Sequence, residues 1–69
     1  MKLDEIMDYT TVEGPIRVML FEDDEPIILF DGYVDELDQC ASYMLKDVAY
    51  MYASKDEYGT AVMCFELEN

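Results

Sequence analysis

Pro26-Ile27-Ile28-Leu29-Phe30-Asp31-Gly32-Tyr33-Val34-Asp35-Glu36-Leu37-Asp38 decides the fold, because an unbroken apolar run ends at Asp31-Gly32 and hands over to acidic residues. Consecutive large apolar residues predict a strand at least partly covered on both faces, and Asp-Gly predicts a turn, kink or bulge in it or just after it. Asp35 then stands where it would cap a helix. Glu36 and Asp38 follow in the first turn, near unpaired backbone N–H groups and the positive end of the dipole. Leu37, Cys40, Ala41, Met44 and Leu45 recur every three or four residues, which predicts an amphipathic helix from Asp35 to about Lys46.

Upstream, the spacing of Leu3, Ile6 and Met7 predicts a short helix over residues 2–9, which must dock to persist. Thr10-Thr11-Val12-Glu13-Gly14-Pro15 predicts a break. Ile16 to Glu22 predicts a strand with Ile16, Val18 and Leu20 on one face and Arg17, Met19 and Phe21 on the other. The tip Asp23-Asp24-Glu25-Pro26 is too short for a crossover, so the next strand returns as a hairpin, with Ile28, Phe30 and Val34 sharing one parity. Downstream, Val48 to Ser54 predicts a third strand, with Lys55-Asp56-Glu57-Tyr58-Gly59 a loop in which Gly59 supplies positive φ. Thr60 to Glu68 predicts a fourth, with Ala61, Met63, Phe65 and Leu67 inward. The order α-β-β-α-β-β in one domain over residues 1–69 predicts an α+β fold, a four-stranded mainly antiparallel sheet with helices packed on one face. A small curled barrel is the alternative.

The chain carries a net charge of −13, from 17 carboxylates against Lys2, Arg17, Lys46 and Lys55, yet 52% of its residues are hydrophobic. That apolar content predicts a folded domain rather than a disordered one. The negative field argues against direct binding of nucleic acid or an anionic membrane and leaves a basic protein as the favoured partner. The chain has no apolar run of the roughly 20 residues that span a bilayer, and Met1-Lys2-Leu3-Asp4-Glu5 lacks the apolar core of a signal peptide. A cytoplasmic protein is expected. Cys40 and Cys64 sit inside apolar patterns, as structural free thiols do.

With no histidine, Ser-His and Cys-His nucleophilic pairs are excluded, and a domain this small has little room for a substrate cleft. An enzyme is therefore not expected, nor a cofactor. The run from Asp31 to Asp38 lacks the alternating acidic positions, mid-loop glycine and terminal glutamate of an EF-hand, so no metal is expected there.

Carboxylates gather at three places: Glu22, Asp23, Asp24 and Glu25 at the first hairpin tip; Asp31, Asp35, Glu36 and Asp38 around the expected helix start; Asp56 and Glu57 at the second tip. Lined up on one side, they would form a negative field resembling a phosphate backbone. Turns and helix starts are also where any soluble protein places such residues. A second feature is apolar excess: Met19, Phe21, Tyr33, Tyr50 and Tyr52 exceed what one sheet face needs, which suits either an interface or a sheet curled to use both faces as core.

The stretch Ile28-Leu29-Phe30-Asp31-Gly32-Tyr33-Val34-Asp35-Glu36-Leu37 resembles small acidic proteins encoded by phages and mobile elements of gram-positive bacteria. Those proteins are largely of unknown function, and some of this size inhibit host defence nucleases by mimicking DNA. The resemblance implies an anti-defence role and carries no site residue with it. The expected function is non-enzymatic binding of a basic, nucleic-acid-handling protein, with carboxylates steering and aromatic residues anchoring. Self-association as a homodimer through an apolar sheet face is the alternative.

Overall fold

The computed structural model describes residues 1–9 and 12–68. Helix α1 (Leu3–Tyr9) precedes strands β1 (Pro15–Glu22), β2 (Glu25–Tyr33), β3 (Val48–Lys55) and β4 (Ala61–Leu67). The break expected before β1 begins at Thr10 and Thr11, which lie outside the described residues; Gly14 then takes φ +85 just ahead of Pro15.

The strands form one small, mixed sheet in the order β2-β1-β4-β3. Its outer pairs, β1 with β2 and β3 with β4, are antiparallel hairpins, and the central pair, β1 with β4, is parallel. The sheet does not close, so it is not a barrel. Both central strands are buried on both faces over their middle residues, as parallel strands usually are. The outer strands are largely exposed.

The first hairpin turns tightly through Asp23 and Asp24, both at positive φ (52 and 65), which matches the right-handed twist of the flanking strands. Counting back from the turn pairs Phe21 with Pro26, Leu20 with Ile27 and Met19 with Ile28; the next pair is Val18 with Phe30. Leu29 is therefore an extra residue, a β-bulge. Because of it, Leu29 and Phe30 both pack toward the main core, and Ile28 joins the opposite face with Met19. The simple alternation expected for β2, with Ile28 on the side of Phe30, is corrected by this bulge. Asp31 and Gly32 do not turn the chain: they continue the strand opposite Arg17 and Ile16. Gly32 lies under the Phe30 ring, which a Cβ at that position would meet at 3.4 Å, ordinary van der Waals contact.

The long helix expected from Asp35 to Lys46 does not form. Single 3-10 turns stand at Val34–Glu36 and Ser42–Leu45, with extended backbone at Leu37, Ala41 and Lys46. Asp35 is not a cap; Tyr33 holds that position and makes no side-chain capping bond. The physical reason lies at Asp38, whose Oδ1 accepts the N–H of Cys40 at 3.0 Å while its carbonyl accepts the N–H of Ala41. Such a local side-chain bond offers the backbone a turn in place of a helix. The apolar stripe splits accordingly, with Leu37 and Met44 buried but Cys40 and Leu45 exposed.

Between β2 and β3 this segment crosses the sheet, and with α1 it covers one face. Leu3 and Ile6 of α1, Leu37 and Met44 of the crossing, Ile16 and Val18 of β1, and Phe65 and Leu67 of β4 form the main core. The α1 start is tied down by Leu3 N–H donating to the Lys46 carbonyl and Val48 N–H donating to that of Met1.

The open face of the sheet as candidate functional site

Cross-strand partners point to the same side of a sheet, so the register fixes which residues share the face that α1 and the crossing leave uncovered. Ile28, Met19, Glu66 and Tyr50 form one row across it, and Asp31, Arg17, Cys64 and Tyr52 the next. Phe21 and Tyr33 stand on the same side of their strands, at opposite ends of the β1–β2 pair. All five apolar residues expected to bind a partner, Met19, Phe21, Tyr33, Tyr50 and Tyr52, thus come together on one face.

They do not play one part there. Met19, Val62 and Cys64 make a second buried cluster, the floor of the face, with Met19 6% exposed. Phe21, Ile28, Tyr33, Tyr50 and Tyr52 rise around it, from 39% exposed at Phe21 to 67% at Tyr50. The face is therefore both core and surface: dry at its centre, aromatic at its rim.

A polar strip runs through it. Arg17 Nε lies 3.4 Å from Asp31 Oδ2, a long ion pair with Asp31 half exposed. Tyr52 approaches Met19 Sδ at 4.0 Å. Burial pushes the Tyr52 phenol above its ordinary range, reinforced by the nearby Glu66 carboxylate; Arg17 opposes the shift. Burial also raises the Cys64 thiol, with Arg17 again opposing and Glu66 and Asp31 adding to it.

The carboxylate clusters are distributed differently from the aromatic residues. Because β1 and β4 run parallel, the tip at Glu22, Asp23, Asp24 and Glu25 lies at one end of the sheet and the loop at Asp56 and Glu57 at the other. Asp35 and Glu36 follow Tyr33 at that second end. Asp31 is engaged by Arg17 on the open face, Asp38 holds its own turn, and Asp56 Oδ1 accepts the N–H groups of Tyr58 and Thr60, both at 2.9 Å. Three of the ten expected partner-binding carboxylates thus have structural work within the chain.

No family model, curated protein or solved structure matches the chain.

Ile28 is the member of the face that parity along β2 misses. The signal that finds it is the turn: a two-residue connection at Asp23-Asp24 fixes the register and pairs Ile28 with Met19 without knowledge of the bulge beyond. Among the described residues no cavity is enclosed, and no helix is long and apolar enough to cross a membrane.

Proposed function

We propose that the chain is a non-enzymatic protein-binding module that docks on a basic partner through the open face of its sheet. The observation that carries this reading is the convergence of Phe21, Ile28, Tyr33, Tyr50 and Tyr52 on one uncovered face above a dry floor. Exposed aromatic residues gathered around an apolar centre are the side chains that protein interfaces use as anchors, buried when the partner docks. Carboxylates at both ends of the face, Glu22 to Glu25 and Asp35, Glu36 and Glu57, supply the long-range field that steers a cationic surface.

The partner we favour is a protein whose basic groove handles nucleic acid, as the resemblance to acidic phage proteins suggests. A net −13 over a longest extent of 30 Å is about one charge per 2.3 Å. Duplex DNA carries one per about 1.7 Å of axis. The field is thus close in density to the ligand it would displace. Asp23 and Asp24 support the same reading. Both occupy left-handed conformations that Asn and Gly adopt more readily, so the hairpin alone does not call for two carboxylates there.

The test is capture of heparin-binding bacterial proteins on the immobilised chain, with duplex DNA as competitor. A retained protein should elute with salt and be displaced by the duplex. Its on-rate should fall when Asp23, Asp24 and Glu25 become Asn, Asn and Gln. Retention indifferent to salt, duplex and the amide variant would defeat the reading.

A further inference from the structure

We propose that the free edge of β3 pairs antiparallel with β3 of a second copy, in a register centred on Tyr52. This inference does not rest on the proposed basic partner, which uses the face of the sheet rather than its edge.

Of the two sheet edges, only β2 carries protections against strand pairing within the body of the strand: Pro26, the Leu29 bulge and the charged Asp31. Those of β3 stand at its ends, the bulge at Ala49 and the charge of Lys55. On β3, Ala49 to Ser54 are exposed and hold neither proline nor charge. The one irregularity, a bulge at Ala49, lies at the strand's start. Among the described residues the outer side of β3 meets only Met1 and Lys2, which cover it at Asp47 and Val48. Among the described residues no hydrogen bond reaches its outer side from Tyr50 to Lys55, and a strand is the group that satisfies such an edge.

Charge explains why that strand is a second copy. On so acidic a molecule, self-association needs the least negative strip of surface, and three of the four cations, Lys2, Lys46 and Lys55, flank β3. Antiparallel pairing brings the Lys55-Asp56-Glu57 end of one copy to the Lys2 and Asp47 end of the other, so opposite signs alternate at both ends.

Two constraints bound the register, and side-chain size selects within them. The Met1–Lys2 segment occupies the edge at Val48, so pairing starts beyond it. Keeping both open faces on the same side requires partner residues of equal parity. Centring on Tyr52 meets both and places Met51 against Ala53 and Tyr50 against Ser54, large beside small, with the two Tyr52 rings adjacent. The two sheets would join as one, with a continuous aromatic face.

Sedimentation velocity over a concentration series tests this, read with amide hydrogen exchange. A species of twice the 8.0 kDa chain mass should accumulate, with amides between Tyr50 and Ser54 gaining protection in step. Ala53→Lys, at an exposed position, should abolish the dimer and that protection, whereas Phe21→Asp on the open face should leave both. As a second readout, Tyr52→Cys in a Cys40→Ser, Cys64→Ala background, which removes the thiol that faces position 52 from β4, should oxidise to a disulfide-linked dimer. A monomer at every concentration overturns the proposal. So does a dimer that Phe21→Asp disrupts and Ala53→Lys does not, which would indicate face-to-face pairing.

Discussion

Phe65 pairs with Val18 on one side and Met51 on the other and is fully buried, so it is the side chain whose loss the core can least absorb. Phe65→Ala should cost about 3–5 kcal/mol. A chain of this size has only roughly 3–10 kcal/mol in all, so the variant should be largely unfolded by circular dichroism at 25 °C. Tyr50→Ala, at the rim, should move the urea midpoint by no more than about 0.5 kcal/mol while weakening partner capture. Equal effects of the two on stability would show that the open face is core rather than surface. The cysteines give a second contrast at this scale. Cys40 is exposed and Cys64 buried, so a thiol reagent should modify one group at once and the other only on unfolding. Folding raises the Cys64 pKa, so the folded state favours the neutral thiol. Its contribution to stability is full below the unfolded thiol's pKa and is lost as pH rises through the folded value. Replacing Cys64 with Ala should therefore flatten the alkaline limb of the stability curve. An unchanged limb would assign the loss to another group.

At the scale of elements, the β1–β2 turn offers the cleanest test. Asp24 sits at φ 65, where a Cβ is disfavoured by about 1–2 kcal/mol. Asp24→Gly should therefore raise stability by roughly 1 kcal/mol in urea unfolding, after allowance for glycine's greater freedom in the unfolded chain. In the second hairpin Gly59 holds φ +81, so Gly59→Ala should lose a similar amount. A stable Gly59→Ala would refute the strain argument for both turns. The strands and the short α1 were legible because each is specified locally: alternation in β1, hairpin punctuation around β2 and β4, and the Leu3, Ile6 spacing in α1. The crossing was not. Its stripe from Leu37 to Leu45 has helical spacing, but Asp38 closes a turn on Cys40, an outcome that spacing does not encode. The bulge at Leu29 and the parallel pairing of β1 with β4 depend on contacts between distant segments, so no local pattern announces them. The open face was half legible for the same reason. Parity on β1 identified Met19 and Phe21, while the bulge hid Ile28.

At the scale of the whole molecule the dominant quantity is the field of 17 carboxylates against four cations. The chain spans 30 Å along its longest axis, about the Debye length at 0.01 M salt, whereas at 1 M that length is about 3 Å. At low salt every carboxylate therefore opposes every other, and at high salt only neighbours do. The only ion pairs found among the described residues are Arg17–Asp31 and Met1–Asp47, both partly exposed and worth little to lose on screening. Relief of repulsion should win, so the urea midpoint should climb as sodium chloride rises from 0.01 to 1 M, by the equivalent of about 1–2 kcal/mol. Pairing of two β3 edges joins two acidic bodies, so the dimer should tighten over the same range. Capture of a basic partner should weaken, because there the field attracts. Three signs in one titration separate the three roles of the charge. A urea midpoint that falls with salt would mean that specific ion pairs, rather than self-repulsion, set the stability of this fold.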